Sequence, residues 1–157
     1  MKSASVHELK KELSAVEPAK LLELCMTLAK YKKDNKEFLT YLLFHAHDEP
    51  DFVLAVKEEM NVLFEEVNTS SIYLAKKTLR KILRILTKYI RYTGSKTVEI
   101  EVLMHYCSCF KALGLDVESS TVLTNLYAQQ IKKIQKALAT LHEDLQYDYR
   151  EELRMLL

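Results

Sequence analysis

The sequence predicts an all-α protein, and three observations predict it. Two Gly and two Pro occur in 157 residues, against roughly eleven and eight at average usage. Most turns that demand a positive φ are therefore missing, which excludes hairpin-rich β architectures and Gly-loop nucleotide folds. Apolar residues recur at spacings of three and four through most of the chain, the period of an amphipathic helix. Capping residues and breakers divide that pattern into segments of helical length. Hydrophobic residues make up 48% and charged residues 29%, a globular rather than a disordered composition. The expected architecture is about seven helices in an antiparallel bundle or a short α-solenoid of helix pairs. It forms one domain over residues 1–157 and ends in a long C-terminal helix from about 120 to 157.

Ser5 caps a first helix to about Ala15, with Glu8 three residues on completing a capping box. Pro18 suits the first turn of a second, to about Lys32, with Leu21, Leu22, Cys25, Leu28 and Ala29 on one face. Asp34 or Asn35 caps a third, Lys36 to about His47. Phe38, Leu39, Tyr41, Leu42, Leu43 and Phe44 make it apolar almost all round, so deep burial is expected. A fourth runs from Asp51 to about Asn68, with Phe52, Val53, Val56, Met60, Leu63, Phe64 and Val67 inward and Glu58, Glu59, Glu65 and Glu66 outward. Ser71 opens a fifth to about Tyr92, closed by Gly94. Ser95 or Thr97 opens a sixth to Leu113, closed by Gly114. From Thr97 on only Glu99, Glu101 and Lys111 are charged, so the sixth belongs at the centre.

From Ser120 onward neither Gly nor Pro interrupts a stripe that runs from Leu123 to Leu153. Such a helix would be about 55 Å long, beyond the ~30 Å of a small domain. Two solutions follow: a bend between Thr140 and Tyr147, or a second subunit docked on Leu141, Leu145, Tyr149 and Leu153 as an oligomer surface. The latter would make the protein a homodimer.

Charge is distributed unevenly. Between Glu66 and Glu99 there is no acidic residue, but Lys76, Lys77, Arg80, Lys81, Arg84, Lys88, Arg91 and Lys96 all fall there. The first seven form one stripe on the fifth helix. That stripe is a candidate surface for an anion or an acidic partner, with Tyr73, Tyr89 and Tyr92 alongside. The acidic face of the fourth helix, or the C-terminal Glu143, Asp144, Asp148, Glu151 and Glu152, could instead neutralise it from within.

Ligand-like clusters do not assemble into chemistry. In His105-Tyr106-Cys107-Ser108-Cys109, residues 105 and 109 share a face while Cys107 points about 200° away, and the spacing is not that of a zinc knuckle. Glu101 is the expected partner of the His105 ring. His45, His47, Asp48 and Glu49 suit a helix C-terminus, and His142-Glu143-Asp144 lacks the second His of a zincin. No catalytic residue, cofactor or metal is expected.

An odd number of Cys (Cys25, Cys107, Cys109) within helical patterns, no apolar leader after Met1 and no span long enough for a bilayer point to a cytoplasmic protein off the membrane. The expected function is a non-catalytic protein-interaction module. Nucleic-acid or phospholigand binding through the stripe is the alternative, disfavoured by a pI of 7.7. An enzyme is the reading with least support.

Overall fold

A computed structural model describes residues 2–116 and 120–157. It contains eight helices and, among the described residues, no strand. Their contacts gather into two compact units, Met1–Phe44 and His45–Leu157, where composition alone suggests one domain.

The first unit holds α1 (Val6–Ser14), α2 (Pro18–Tyr31) and α3 (Lys33–Phe44). α1 starts in the expected capping box: the Glu8 amide donates to Ser5 Oγ at 3.3 Å, and the Ser5 amide donates back to the Glu8 carboxylate at 2.7 Å. These bonds hold the Glu8 carboxyl below its ordinary range. α2 and α3 pack as a pair, and Asn35 Nδ2 ties the turn by donating to the Leu28 carbonyl at 2.8 Å. α3 starts three residues before the expected Lys36 and is not deeply buried. Tyr41 is its one buried residue, while Leu43 and Phe44 are 63% and 64% exposed. A unit of this size has too little chain to surround an all-round apolar helix. On α2 only Ala29 is buried, and Leu22, Cys25 and Leu28 of its expected face lie exposed.

The second unit holds α4 (Glu49–Glu65), α5 (Ile72–Thr93), α6 (Lys96–Ala112), α7 (Thr121–Leu138) and α8 (Glu143–Arg154). Asp48 caps α4 by accepting from the Asp51 amide at 3.0 Å. Ser71, Ser95 and Ser120 cap α5, α6 and α7 in the same way. Gly94 ends α5 at φ +64°, a conformation that costs a glycine no Cβ clash. α6 packs on α4, α5 and α7 and buries eight residues from Val98 to Phe110, as its scarcity of charge predicts. Paired positions fix the directions. Phe52 meets Tyr89 and Glu66 meets Lys81, so α4 and α5 run antiparallel. Lys57 meets Glu101 and Asn61 meets His105, so α4 and α6 run parallel.

A chain of rings, Phe64–Tyr106–Phe110–Tyr127, crosses the core with centroids 5.3, 6.1 and 5.4 Å apart. Burial pushes the Tyr106 hydroxyl well above its ordinary range and that of Tyr127 up to about 12.

The C-terminal segment is not one long helix. It breaks after Leu138, and α8 begins at Glu143 behind His142 as N-cap, so the bend falls at the near end of the expected interval. Leu153 and Leu156 then turn inward. Tyr127 donates to the Leu156 carbonyl at 2.7 Å and Lys111 to that of Met155 at 3.2 Å. The break is what an unbroken stripe requires once its far half folds back.

Candidate functional site

The seven stripe residues occupy the arc of α5 opposite its buried side chains. Ala75, Leu79, Ile82 and Leu86 face inward with at most 1% exposure. Turning 100° per residue places Lys77, Arg84, Lys88 and Arg91 on the opposite side, flanked by Lys76 and Arg80 toward one edge and Lys81 toward the other. Lys77, Arg80, Lys81, Arg84 and Arg91 are exposed, and Lys76 and Lys88 half-buried. Such a density of cations on one arc is tolerable where, as at the five exposed positions, the charged ends reach into water while the stems cover the helix.

Carboxylates touch this arc along one edge. Lys81 reaches Glu66 at 3.5 Å with both side chains more than half exposed, and the Tyr89 hydroxyl donates to the Glu59 carboxylate at 2.9 Å. Such exposed pairs are worth about 0–1 kcal/mol. Lys76 lies over the exposed Tyr73 ring, 5.3 Å from its centroid, and Lys88 over Tyr89 at 6.0 Å. Among the described residues Lys77, Arg80, Arg84 and Arg91 have no carboxylate partner, and no carboxylate of 143–152 reaches the stripe. Helix four therefore neutralises an edge of the arc, and the C-terminal acids none of it.

The other singled-out residues have different fates. His105 Nε2 sits 2.7 Å from Asn61 Oδ1, so Asn61 holds the ring in place of the expected Glu101. Glu101 is engaged elsewhere: Lys57 donates to it at 2.9 Å and Tyr149 at 3.1 Å. These contacts line a cleft of about 480 Å³ between α4, α6 and α8. Cys109 Sγ lies 3.6 Å from both His105 Nε2 and Asn61 Oδ1. The trio resembles a nucleophile, base and orienting amide, but one ring nitrogen serves both neighbours, so it cannot accept from the thiol while donating to the amide. Burial lowers the His105 pKa, with the Lys57 charge adding to it, and burial raises that of Cys109. Both are opposite to a thiolate–imidazolium pair. Cys107 is fully buried and pushed up to about 12.

His45 lies beside Phe52, Asp48 serves as a cap, and His142 Nδ1 is 3.4 Å from Asp144. Among the described residues no group of three His, Cys, Asp or Glu gathers to hold a metal, and no helix is long and apolar enough to cross a membrane. The four residues of the expected oligomer surface do not form one exposed face, because α8 folds back after the bend and docks part of that stripe. Leu153 is buried, Tyr149 is bonded to Glu101, Leu141 is half-buried and Leu145 remains exposed.

Comparison of the chain with protein-family models, with curated proteins and with solved structures finds no match. The local geometry is thus the ground for any reading of function.

Spacing marks Lys132, Lys133 and Lys136 as a basic group that Glu143, Asp144 and Asp148 of an antiparallel copy could meet, but sequence reasoning missed its junction with the α5 stripe. α7 presents Lys132, Lys133 and Lys136, which line a shallow cleft of about 500 Å³ with Gln129 and Gln135. Lys133 also lines a cleft of about 490 Å³ together with Arg91 at the end of α5 and Lys96 at the start of α6. The stripe therefore continues past α5 onto α7. The absence of any acidic residue from 119 to 142 was the available signal, but it cannot reveal that α7 lies beside the end of α5.

Proposed function

We propose that this chain is a non-catalytic helical interaction module whose working surface is the outer face of α5, presented to an acidic surface of a partner protein. The observation that carries this reading is the exposure of Lys77, Arg80, Arg84 and Arg91 without carboxylate partners among the described residues. A row of unneutralised cations on a well-packed helix is an electrostatic docking surface.

A protein fits better than a nucleic acid because of what borders the stripe. The exposed acids Glu58, Glu59 and Glu65 lie on the neighbouring helix α4 and Glu66 caps its end. A polyphosphate running across the surface would meet them as like charges, whereas a partner with an acidic and a basic band can pair with both. Such mixed patterns set register between proteins. A formal net charge of +1 points the same way.

The test is K77Q/R80Q/R84Q. With few internal partners to lose, its stability should stay within about 0.5 kcal/mol of wild type, while its affinity for a polyglutamate probe should fall and lose most of its salt dependence. A variant that unfolds, or that binds as wild type does, would remove the basis of this reading.

A further inference from the structure

The cleft where α5 ends, α6 begins and α7 passes differs from the open stripe in being concave and built from three helices. Arg91 comes from α5, Lys96 and Glu99 from α6 and Lys133 from α7, with Thr87 and Gly94 on its wall. Lys96 and Glu99 satisfy each other at 2.6 Å. That leaves Arg91 and Lys133, which have no carboxylate partner among the described residues, and a net charge of two positive units around about 490 Å³. Nothing lies within 4 Å of the place a Cβ would take on Gly94, so a ligand can approach the backbone there.

We propose that this cleft is a subsite for a phosphoryl dianion carried as a phosphorylated side chain on the acidic partner of α5. The assignment rests on the partner reading of α5 and extends it. Two uncompensated cations match the charge of about −1.5 to −2 on a phosphate monoester, and each can bond one of its oxygens. A carboxylate would neutralise only one of them. Arg91 offers a planar fork and Lys133 a point charge, the pairing that phosphate accepts from two directions. The binding rests on these side chains, with the first turn of α6 adding a partial positive charge.

Amide chemical shifts of the full chain, followed at constant ionic strength, test this. The probes are N-acetyl-phosphoserine amide, its unphosphorylated counterpart, inorganic phosphate and acetate. Saturable shifts at Gly94, Ser95 and Lys96 are expected with the phosphoserine probe. They should be absent with the serine counterpart and with acetate, and should strengthen as pH rises through about 6, where the phosphate loses its second proton. R91Q/K133Q should weaken binding about tenfold or more, while K10Q, on α1 and outside both the stripe and the cleft, should leave it unchanged. Acetate acting as well as phosphate, or R91Q/K133Q binding as wild type does, would overturn the subsite. Binding of inorganic phosphate without the phosphoserine probe would overturn the side-chain source. Each of these failures leaves the polyglutamate experiment on α5 intact, so the two readings fail separately.

Discussion

At the scale of single residues, burial decides chemistry more than residue type does. Cys25 is exposed, Cys109 partly covered and Cys107 enclosed, so native alkylation near pH 8 should proceed in that order. Cys107 should react only on unfolding; early modification of Cys107 would mean α6 is not central. Burial, with the Lys57 charge adding to it, lowers the His105 pKa, so the unfolded chain binds a proton there before the native one does. Stability should therefore be complete above about pH 6.5 and fall as pH drops below it, a loss that His105→Gln should reduce. A variant with an unchanged acid limb would show that the ring is not desolvated. Gln130 is 2% exposed; its Nε2 donates to the Leu126 carbonyl, but its Oε1 has no partner among the described residues. Gln130→Leu should accordingly be neutral or stabilising by up to about 2 kcal/mol. A loss above about 1 kcal/mol would reveal a partner for that oxygen.

At the scale of elements, helix boundaries are legible in the sequence because caps are local chemistry. Ser5 with Glu8, Ser71, Ser95 and Gly94 each need only their own neighbours to act. Burial is legible only where the rest of the chain supplies a cover. α6 and α3 both read as enclosed, yet α6 has three helices against it and α3 packs chiefly on α2 within its unit. Leu103→Ala or Phe110→Ala should cost ~2–5 kcal/mol, whereas Leu43→Ser should stay within about 0.5 kcal/mol. Equal costs at both places would contradict this contrast. α8 and the residues after it hold on through Leu153, Leu156 and three hydrogen bonds, from Tyr149 to Glu101, from Tyr127 to the Leu156 carbonyl and from Lys111 to that of Met155. Deleting 141–157 should lower the midpoint of thermal unfolding and bare the inner side of Tyr127. A truncated chain as stable as the whole would mean that α8 is not docked.

At the scale of the whole molecule, the candidate surface was half legible. The stripe of α5 is a property of one helix and can be drawn from spacing. Its union with Lys132, Lys133 and Lys136 depends on where α7 packs, and the partnership of Asn61 with His105 on how α4 registers against α6. No spacing within one segment carries that information. What unites these observations is a segregation of charge: α5 and α7 carry no acidic residue at all, while Glu59 of α4 and Glu66 just past its end meet α5 along one edge of the stripe. The proposed reading gives such a surface a preference for an acidic protein over a nucleic-acid duplex. The most direct measurement compares the affinity of the intact chain for polyglutamate and for a DNA duplex at about 0.15 M salt, before and after Glu58, Glu59, Glu65 and Glu66 are changed to Gln. The predicted result is tighter binding of polyglutamate by the wild type, and a gain in duplex binding when the acids are removed. Submicromolar duplex binding by the wild type, lost in K77Q/R80Q/R84Q, would contradict it.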